Sequence, residues 1–343
     1  MTAPAIRPCP ACTGQAASTL EVAEAMFGLG ESFDYAECAR CSTLYICSIP
    51  ADLAEYYSTK YYSFDVDPEE QLGRFPASAA VRAIGRSVLF GRGATATALA
   101  RLSGRRQVRT LVSLFESVRR AGLPQGRRTR ILDVGAGSGA LVYALSHTGV
   151  ADVTGIDPFN EGDRTFDTGG RVLRRSLEEV DGTFDLVMLH HSFEHVPDPA
   201  RTLADAGRVL APGGRLLVRM PTVDSEAYAQ YGTHWIQLDA PRHLTLFSRA
   251  GMEALAERTG FRVTQTYDDS SSFQFWGSEQ AAAGTSMVAE DSHFVNPNRS
   301  RFSKDQVRAW EQRSHELNAC SRGDQAGWIL ERAGPRRCSA GLR

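Results

Sequence analysis

The chain has 343 residues, of which 42% are hydrophobic and 23% charged, and its formal net charge is −2. This composition is typical of a soluble globular protein large enough for one large domain and a smaller one. The near-zero charge gives no reason to expect nucleic acid or a membrane surface as a partner. The N-terminal "MTAPAIRPCPACTGQ" lacks the apolar run of a signal peptide, and no stretch approaches the roughly 20 apolar residues of a membrane helix. We therefore expect a cytoplasmic protein.

Four cysteines near the N-terminus form two C-x-x-C pairs. Cys9 and Cys12 make the first pair, Cys38 and Cys41 the second, and 25 residues separate the two pairs. One pair wraps a metal ion in a tight turn, and two pairs complete a tetrahedral thiolate site for Zn²⁺. Four thiolates leave no coordination position open for catalysis, so we predict a structural zinc ion in a ribbon-like unit spanning residues 1–60.

The next stretch changes from tyrosine-rich to helical. The segment "LAEYYSTKYYSF" (53–64) offers flat rings with hydroxyl groups, and its Tyr61 is a candidate for a wall of the substrate pocket. The alternative is that these rings pack the zinc unit onto the rest of the chain. Apolar residues at helical spacing predict helices between 76 and 122. We assign residues 61–128 to a helical connector that caps the substrate.

From residue 129 onward, strands alternate with helices. The predicted strands begin or lie within "RILDVG", "ADVTGIDP", "GRVLRRSLEEV", "FDLVMLHHS" and "RLLVRMP". The predicted helices include "GALVYALSHTG" and "PARTLADAGRVLAPGG". Such alternation predicts an α/β fold with a parallel, doubly wound sheet. Two further strands at 261–267 and 325–333 complete a domain spanning residues 129–335, with a helical insertion at 273–320.

The stretch "ILDVGAGSGA" (131–140) reads as a buried strand that enters a glycine-rich turn. It fits G-x-G-x-x-G/A of dinucleotide-binding enzymes and equally G-x-G-x-G of enzymes that bind S-adenosylmethionine (SAM). The glycines alone do not choose between the two. Asp133 lies inside the strand, where its carboxylate suits the ammonium group that SAM has and a nicotinamide dinucleotide lacks. This favours SAM over a nicotinamide cofactor.

Four segments, "ILDVGAGSGALV", "TGIDP", "FDLVMLHHSFEHVPDP" and "RVLAPGGRLLV", follow one another in the order and spacing of known motifs. In them the chain resembles the class I SAM-dependent methyltransferases. With its cysteine pairs and "HWIQLDAPRHLTLFS", it is similar to bacterial methyltransferases that carry an N-terminal zinc ribbon, many of them tied to sugar, polysaccharide or natural-product pathways. The resemblance implies a seven-stranded Rossmann-like methyltransferase sheet with a small zinc-binding unit, a helical connector and SAM as cofactor.

The resemblance also implies where SAM binds. The glycine loop is expected on the methionine and ribose parts, Asp157 on the ribose hydroxyls, and Ser176 is the only polar candidate near the adenine amine. The expected cofactor contacts, all at the carboxyl ends of strands, are Asp133, Gly135, Ala136, Gly137, Gly139, Asp157, Pro158, Ser176, Leu177 and His190.

Methyl transfer to a hydroxyl requires that its proton be removed, a task for an imidazole titrating near neutral pH. We predict His243 as this general base, with His191 and His234 as further candidates. In the same loop, Asp239 is expected to orient a histidine and Arg242 to bind an anionic substrate group. The predicted substrate contacts are Trp235, Asp239, Arg242 and Tyr61, whereas Glu194 and His195 are expected on the structural or cofactor side.

These features predict a SAM-dependent methyltransferase that methylates a sugar or natural-product hydroxyl of a small molecule. Two enzyme alternatives stay open: C- or N-methylation of a nucleotide-linked sugar or related metabolite, and SAM-dependent chemistry without methyl transfer. A zinc ribbon that acts as an adaptor for protein or nucleic acid is a third reading, which the absence of a basic stretch around the cysteines disfavours. The sequence is also compatible with a homodimer.

Overall fold

The computed structural model describes residues 6–57, 67–69, 78–90, 106–123 and 128–334. The N-terminal part is a four-stranded sheet with the order β1-β2-β3-β10. Its strands, all paired antiparallel, are β1 (Ala16–Ala23), β2 (Ser32–Cys38), β3 (Leu44–Ile46) and β10 (Thr245–Leu246). Because β10 comes from residues about two hundred positions further along the chain, this small sheet ties the N-terminal segment to the loop that follows β9.

The second sheet has eight strands in the order β11-β12-β9-β8-β4-β5-β7-β6. Their bounds are β4 (Thr129–Val134), β5 (Ala151–Ile156), β6 (Arg164–Thr165), β7 (Arg171–Leu173), β8 (Phe184–His190), β9 (Leu210–Pro221), β11 (Phe261–Asp268) and β12 (Gln325–Arg332). The central pairs are parallel, whereas β12 pairs antiparallel with both β9 and β11. The strand order reverses between β4 and β8, and ligands of open α/β sheets bind at the carboxyl ends beside such a reversal.

Eight helices accompany the sheets in the described part of the chain. They are α1 (Ser78–Leu89), α2 (Arg106–Ala121), α3 (Ala140–His147), α4 (Pro199–Val209), α5 (Glu226–Tyr231), α6 (Arg249–Arg258), α7 (Phe273–Ala282) and α8 (Lys304–Ala319). Short 3₁₀ turns at Phe193–His195, Gly232–His234 and Ile236–Leu238 shape the loops after β8 and β9. Among the residues that the structure describes, no helix has the length and apolar character needed to cross a bilayer.

Side chains of the central strands alternate between two apolar layers. Leu132 and Val187 belong to one layer, whereas Ile131 and Met188 belong to the other. A parallel sheet buried on both faces explains why these strands read as continuous apolar runs. Cys38 belongs to the first layer, so the N-terminal sheet packs on that side.

The predicted doubly wound α/β fold is confirmed, with two differences in detail. The two-residue strand β6 adds an eighth member at the edge, and it is too short to leave a periodic signal. The "APGG" segment, predicted to end a helix, lies within β9, because α4 already ends at Val209. The pairing of β8 with β9 shifts register between Phe184 and Leu186, which accommodates the extra residues of that segment.

Candidate functional site

The four cysteines of the N-terminal pairs converge on one point. Their sulfur atoms lie within 4.8 Å of one another, and all four residues are buried. Cys9 Sγ is 3.7 Å from Cys41 Sγ, and Cys12 Sγ is 3.4 Å from Cys38 Sγ. Sulfurs bound tetrahedrally to one zinc ion at about 2.3 Å lie about 3.8 Å apart. The cluster therefore has the size of a four-thiolate zinc site.

The backbone around the cysteines repeats the same turn twice. Thr13 and Ser42 each follow the second cysteine of a pair, and both have a positive φ. The amide of Thr13 donates to the Cys9 carbonyl, as the amide of Ser42 does to the Cys38 carbonyl, each at 2.9 Å. Two matched turns of this kind direct two sulfurs each toward a common centre.

The glycine loop after β4 is shaped by close contacts. Gly135, Gly137 and Gly139 all have positive φ. A Cβ on Gly135 would lie 2.5 Å from Ser192 Cβ, and one on Gly139 would lie 2.6 Å from Val172 Cγ2. Both positions thus require glycine for space as well as for backbone conformation.

Asp157, at the end of β5, braces this loop. Its Oδ2 accepts a hydrogen bond from the Gly137 amide at 2.9 Å, and its Oδ1 accepts one from the Phe159 amide at 3.0 Å. Asn160 Nδ2 donates to the Gly137 carbonyl at 3.0 Å. The ring of Phe159 is 79% exposed, which is unusual for a phenylalanine of a well-packed domain.

Asp133 is a buried carboxylate with unused hydrogen-bonding capacity. Its Oδ1 has no hydrogen-bond partner among the described residues. Burial, together with the nearby Asp157, raises the pKa of Asp133 to about 7. A cationic ligand at this point would relieve both the missing contact and the cost of the buried charge.

The residues predicted to contact adenine do not share the unused hydrogen-bonding capacity of Asp133. The Ser176 hydroxyl donates to Glu179 Oε2 at 2.8 Å as part of a reciprocal cap on a short 3₁₀ helix. Leu177 is buried, and Pro158 is exposed between Asp157 and Phe159. The side chain that sequence analysis selects for a polar contact with adenine is therefore already used in capping.

His190 and His191 end β8 in different environments. The ring of His191 contacts the Arg219 guanidinium through Nε2, and its Nδ1 lies 3.4 Å from Glu194 Oε1. Burial and Arg219 lower the pKa of His191. His190 Nε2 is buried with no hydrogen-bond partner among the described residues, and burial lowers its pKa well below the ordinary value. Both rings are therefore neutral at physiological pH.

A second cluster joins the turn after β8 to the loop before β10. One ligand atom each of Glu194, His195 and His243 lies within 4.8 Å of the other two. His195 Nδ1 is 2.9 Å from the Arg242 carbonyl, and His243 Nδ1 is 2.7 Å from the Gln237 carbonyl. His243 Nε2 faces Glu194 Oε1 at 3.9 Å and Asp239 Oδ2 at 3.7 Å. This cluster lies beside the glycine loop, because Ser192 Oγ, two residues before Glu194, donates to the Val134 carbonyl at 2.7 Å.

Several loop residues predicted to contact substrate are held inside the protein. The Arg242 guanidinium is fully buried, pairs with Glu24 and Asp239, and donates to the Tyr56 carbonyl at 3.0 Å. The two carboxylates raise the pKa of Arg242 despite its burial. Arg242 and Asp239 thus hold the loop together, and the described residues around the guanidinium bury it fully.

Trp235 and His234, also predicted at the substrate site, lie in different environments. The Trp235 ring is buried, and its Nε1 donates to Asp324 Oδ2 at 3.1 Å. His234 is exposed in a 3₁₀ turn. Tyr61 lies outside the described residues. Among the described residues, the structure brings Tyr57 of the same tyrosine-rich segment to the cluster, with its hydroxyl 3.0 Å from His195 Nδ1.

The sequence places Glu194 and His195 on the structural or cofactor side and does not single out Tyr57, whereas the structure brings these three side chains together with His243. The adjacent glutamate and histidine of "FEHVPDP" were the available signal, since two groups that hold metals or protons directly follow a strand end. Tyr57 carried no separate signal within a segment of four tyrosines.

Comparison with other proteins places this architecture among methyltransferases. A family model described as a methyltransferase domain matches residues 105–266. A protein named ubiquinone biosynthesis O-methyltransferase from Aromatoleum aromaticum is 34% identical over 167 residues, which cover 40% of this chain and 70% of the relative. A protein of the same name from Pseudomonas aeruginosa is 33% identical over 136 residues, covering 36% of this chain and 57% of the relative. A solved cyclopropane synthase from Mycobacterium tuberculosis shares 18% identity and a TM-score of 0.42, covering 66% of this chain and 87% of that chain.

The chain belongs to the class I SAM-dependent methyltransferases. The conclusion rests on the family match and the identity with these relatives, and the strand order described above is in keeping with it. It is accordingly a SAM-dependent methyltransferase enzyme, as the sequence predicts.

Proposed function

We propose that this enzyme transfers the methyl group of SAM to a hydroxyl oxygen of a small molecule. The observation that carries the proposal is the cluster of Glu194, His195 and His243 beside the glycine loop. Methylation of a hydroxyl requires that its proton be removed, and the cluster brings a carboxylate and two imidazoles to the place where the acceptor would approach. The relatives named O-methyltransferases support oxygen as the acceptor atom.

SAM fits the pocket edge formed by the ends of β4 and β5. The unpartnered Oδ1 of Asp133 would meet the ammonium group, while the glycine loop leaves room for the methionine part to approach the backbone. Asp157 would meet the ribose hydroxyls with its remaining lone pairs, and the exposed ring of Phe159 would cover the adenine. When bound, SAM supplies the electrophilic methyl carbon. The protein aligns the acceptor with that carbon and receives its proton.

The acceptor proton leaves at the Glu194–His195–His243 cluster. Burial pushes the pKa of Glu194 upward, but its contact with His191 and its other histidine neighbours brings it down to about 2, so the carboxylate is ionised. Burial and the neighbouring His243 lower the pKa of His195 to about 4. His243, which the sequence predicts as the general base, directs its Nε2 toward Glu194 and Asp239, while its Nδ1 lies 2.7 Å from the Gln237 carbonyl. For the acceptor we keep the proposal made from the sequence, a hydroxyl group of a sugar or natural product.

The proposal is tested by incubating the purified protein with SAM and a panel of sugar, phenolic and aliphatic hydroxyl compounds. Mass spectrometry should find S-adenosylhomocysteine and a product heavier by one methyl group in equal amounts. Glu194→Gln and His243→Asn should abolish turnover yet still bind S-adenosylhomocysteine by calorimetry. Turnover at the wild-type rate in both variants would overturn the assignment of the proton to this cluster, and consumption of SAM without a methylated product would overturn methyl transfer.

The cysteine cluster has a separate role in the proposal. Cys9, Cys12, Cys38 and Cys41 hold one structural Zn²⁺ ion, supported by the 3.7 and 3.4 Å separations of their sulfurs. The ribbon stabilises the loop that carries His243, since the Tyr35 hydroxyl donates to the His243 carbonyl at 2.8 Å. Zinc in this site takes no part in the reaction, because four thiolates fill its coordination shell.

A further inference from the structure

Three side chains with metal-binding atoms converge away from the cysteines. Glu194 and His195 come from the turn after β8, and His243 comes from the loop before β10. The three ligand atoms lie within 4.8 Å of one another. Since two distant segments supply them, the convergence is a product of the fold and not of adjacency along the chain.

Both histidines are held in the form that binds a metal. A backbone carbonyl only accepts, so Nδ1 carries the proton in His195 toward Arg242 and in His243 toward Gln237. In the neutral ring with this tautomer, Nε2 carries the free lone pair. Metal-bound histidines almost always donate their other ring nitrogen to a carbonyl or carboxylate in this way.

Glu194 supplies the negative charge that such a site needs. Its side chain is fully buried, and both carboxylate oxygens lack a hydrogen-bond partner among the described residues. The nearest histidine nitrogen, His191 Nδ1, is 3.4 Å away, too far for a strong hydrogen bond. Burying an ionised carboxylate without hydrogen-bond partners costs free energy unless a cation pairs with it.

We propose that Glu194, His195 and His243 bind a divalent transition-metal ion, such as Zn²⁺, Mn²⁺ or Fe²⁺, distinct from the zinc of the cysteine cluster. Two imidazoles and one carboxylate form a recognised facial ligand set that leaves coordination positions open. Ligand atoms on one ion at bond lengths of about 2.1 Å lie at most about 4.2 Å apart. Small side-chain rotations therefore close the 4.8 Å cluster around an ion.

The ion would account for deprotonation, an inference that rests on the proposed function. An ion held by Glu194, His195 and His243 would act as a Lewis acid that lowers the pKa of a coordinated oxygen, so that the acceptor's hydroxyl proton would leave to water. The acceptor oxygen then forms a bond to the methyl carbon of SAM, while the carbon–sulfur bond breaks and its electron pair stays on sulfur. The products are the methyl ether and S-adenosylhomocysteine, and one proton is released to water in each cycle.

The geometry favours this role over direct proton removal by His243. The His243 side chain is only 7% exposed, and its Nε2 is directed at Glu194 and Asp239. A hydroxyl group would have to enter that enclosed space to reach Nε2. An ion bound there would instead present its open positions toward the side where His195 is partly accessible.

The test counts zinc ions, because Zn²⁺ binds nitrogen and oxygen ligands more tightly than most divalent first-row metals. The whole protein is dialysed against micromolar Zn²⁺ and analysed for metal per chain. We expect two ions in the wild type, one in Glu194→Gln and one in His243→Asn. The control His315→Asn, which changes an exposed histidine on α8, should keep two. Glu194→Asp, which retains the carboxylate, should keep the second ion with affinity lowered about 10- to 100-fold.

Two results separate the failure of this inference from that of the proposed function. One zinc per wild-type chain, with methyl transfer that resists a chelator, overturns the second metal site and leaves the methyltransferase assignment in place. Two zinc ions that depend on Glu194, with no methylated product from any hydroxyl compound, support the metal site and overturn O-methylation. A folded Glu194→Gln variant that retains two ions also overturns the site, and circular dichroism establishes its folding.

Discussion

The two polar clusters of this protein differ in how completely they are satisfied. The cysteine cluster consists of four identical ligands on two matched turns, one before β1 and one between β2 and β3. The Glu194–His195–His243 cluster combines a carboxylate with two imidazoles from separate segments, and Glu194 has no hydrogen-bond partner in the described chain. A saturated ligand set suits a structural ion, whereas an incomplete one leaves room for a reacting molecule. In the proposed function the first cluster therefore stabilises the fold, and the second takes part in the chemistry.

The largest expected effect comes from removing two of the four thiolates. Cys38→Ser with Cys41→Ser should release the zinc ion and lower the Tm by about 10 °C or more, because a structural zinc site contributes folding free energy directly. Turnover should fall as well, since the ribbon holds the His243 loop through Tyr35. Elemental analysis and calorimetry measure both effects.

The control is Cys320→Ser, which alters an exposed cysteine outside the cluster. It should change neither metal content nor Tm. If the double variant kept its zinc and its Tm, the cysteine cluster would not be the structural site.

The second effect concerns Arg242, which connects the two regions. Its buried guanidinium pairs with Glu24 beside β1 and with Asp239 in the His243 loop. Arg242→Met should cost about 3–5 kcal/mol of unfolding free energy, because it leaves two carboxylates buried without a counter-charge. Urea unfolding followed by fluorescence measures the change. Arg308→Met, at an exposed pair with Asp305, should stay within about 0.5 kcal/mol; a loss for Arg242→Met no greater than this would contradict the connecting role.

The third prediction concerns the pH dependence of SAM binding, which depends on Asp133 and on neither of the two clusters. Burial raises the pKa of Asp133 from 3.8 to about 7. The folded state therefore binds this proton more tightly than the unfolded state, so Asp133 makes the unliganded protein less stable as pH rises from about 4 to about 7. Binding of cationic SAM favours the ionised form and should weaken by up to about tenfold per pH unit below 7.

Calorimetric titration with SAM between pH 5.5 and pH 8 checks this prediction. Asp133→Asn should bind more weakly at pH 8 and lose the pH dependence. Affinity that stays constant in the wild type over this range would mean that Asp133 does not face the cation.

The smallest effect is expected for Tyr57→Phe. The hydroxyl lies 3.0 Å from His195 Nδ1, where it helps to fix the ring without bonding to the reacting atoms. We expect kcat to fall by only about two- to tenfold, corresponding to less than about 1.4 kcal/mol. Steady-state kinetics with an identified acceptor measures kcat. A loss as large as that of Glu194→Gln would mean that the Tyr57 hydroxyl contacts the reacting atoms.

The sequence predicts the SAM-binding half of the molecule well because its signals are local. Apolar runs that alternate with helical segments specify the parallel strands. The glycines at 135, 137 and 139 each adopt a positive φ that the loop itself requires. The acidic residue Asp157 sits at the end of the next strand, where a fixed spacing places it. These features depend on neighbours within a few residues or on one adjacent strand.

The loop before β10 is harder to predict because its environment comes from far along the chain. Arg242 and Trp235 look like substrate contacts by residue type, yet Glu24 and Asp324 occupy their polar atoms. The pairing of β10 with β3 buries this loop, and a two-residue strand leaves no periodic pattern. His243 could be selected as a chemical residue, but its partners Glu194 and His195 become visible only in three dimensions.

The central claim is that the Glu194–His195–His243 cluster prepares a hydroxyl oxygen for methylation. The most direct measurement supplies SAM with a ¹³C-labelled methyl group and follows the label by NMR in the wild type and in Glu194→Gln. We predict that the wild type places the label on an oxygen of the acceptor in equal amount to S-adenosylhomocysteine, and that the variant binds SAM but transfers no label. Label on carbon or nitrogen, or equal transfer by the variant, would contradict the account.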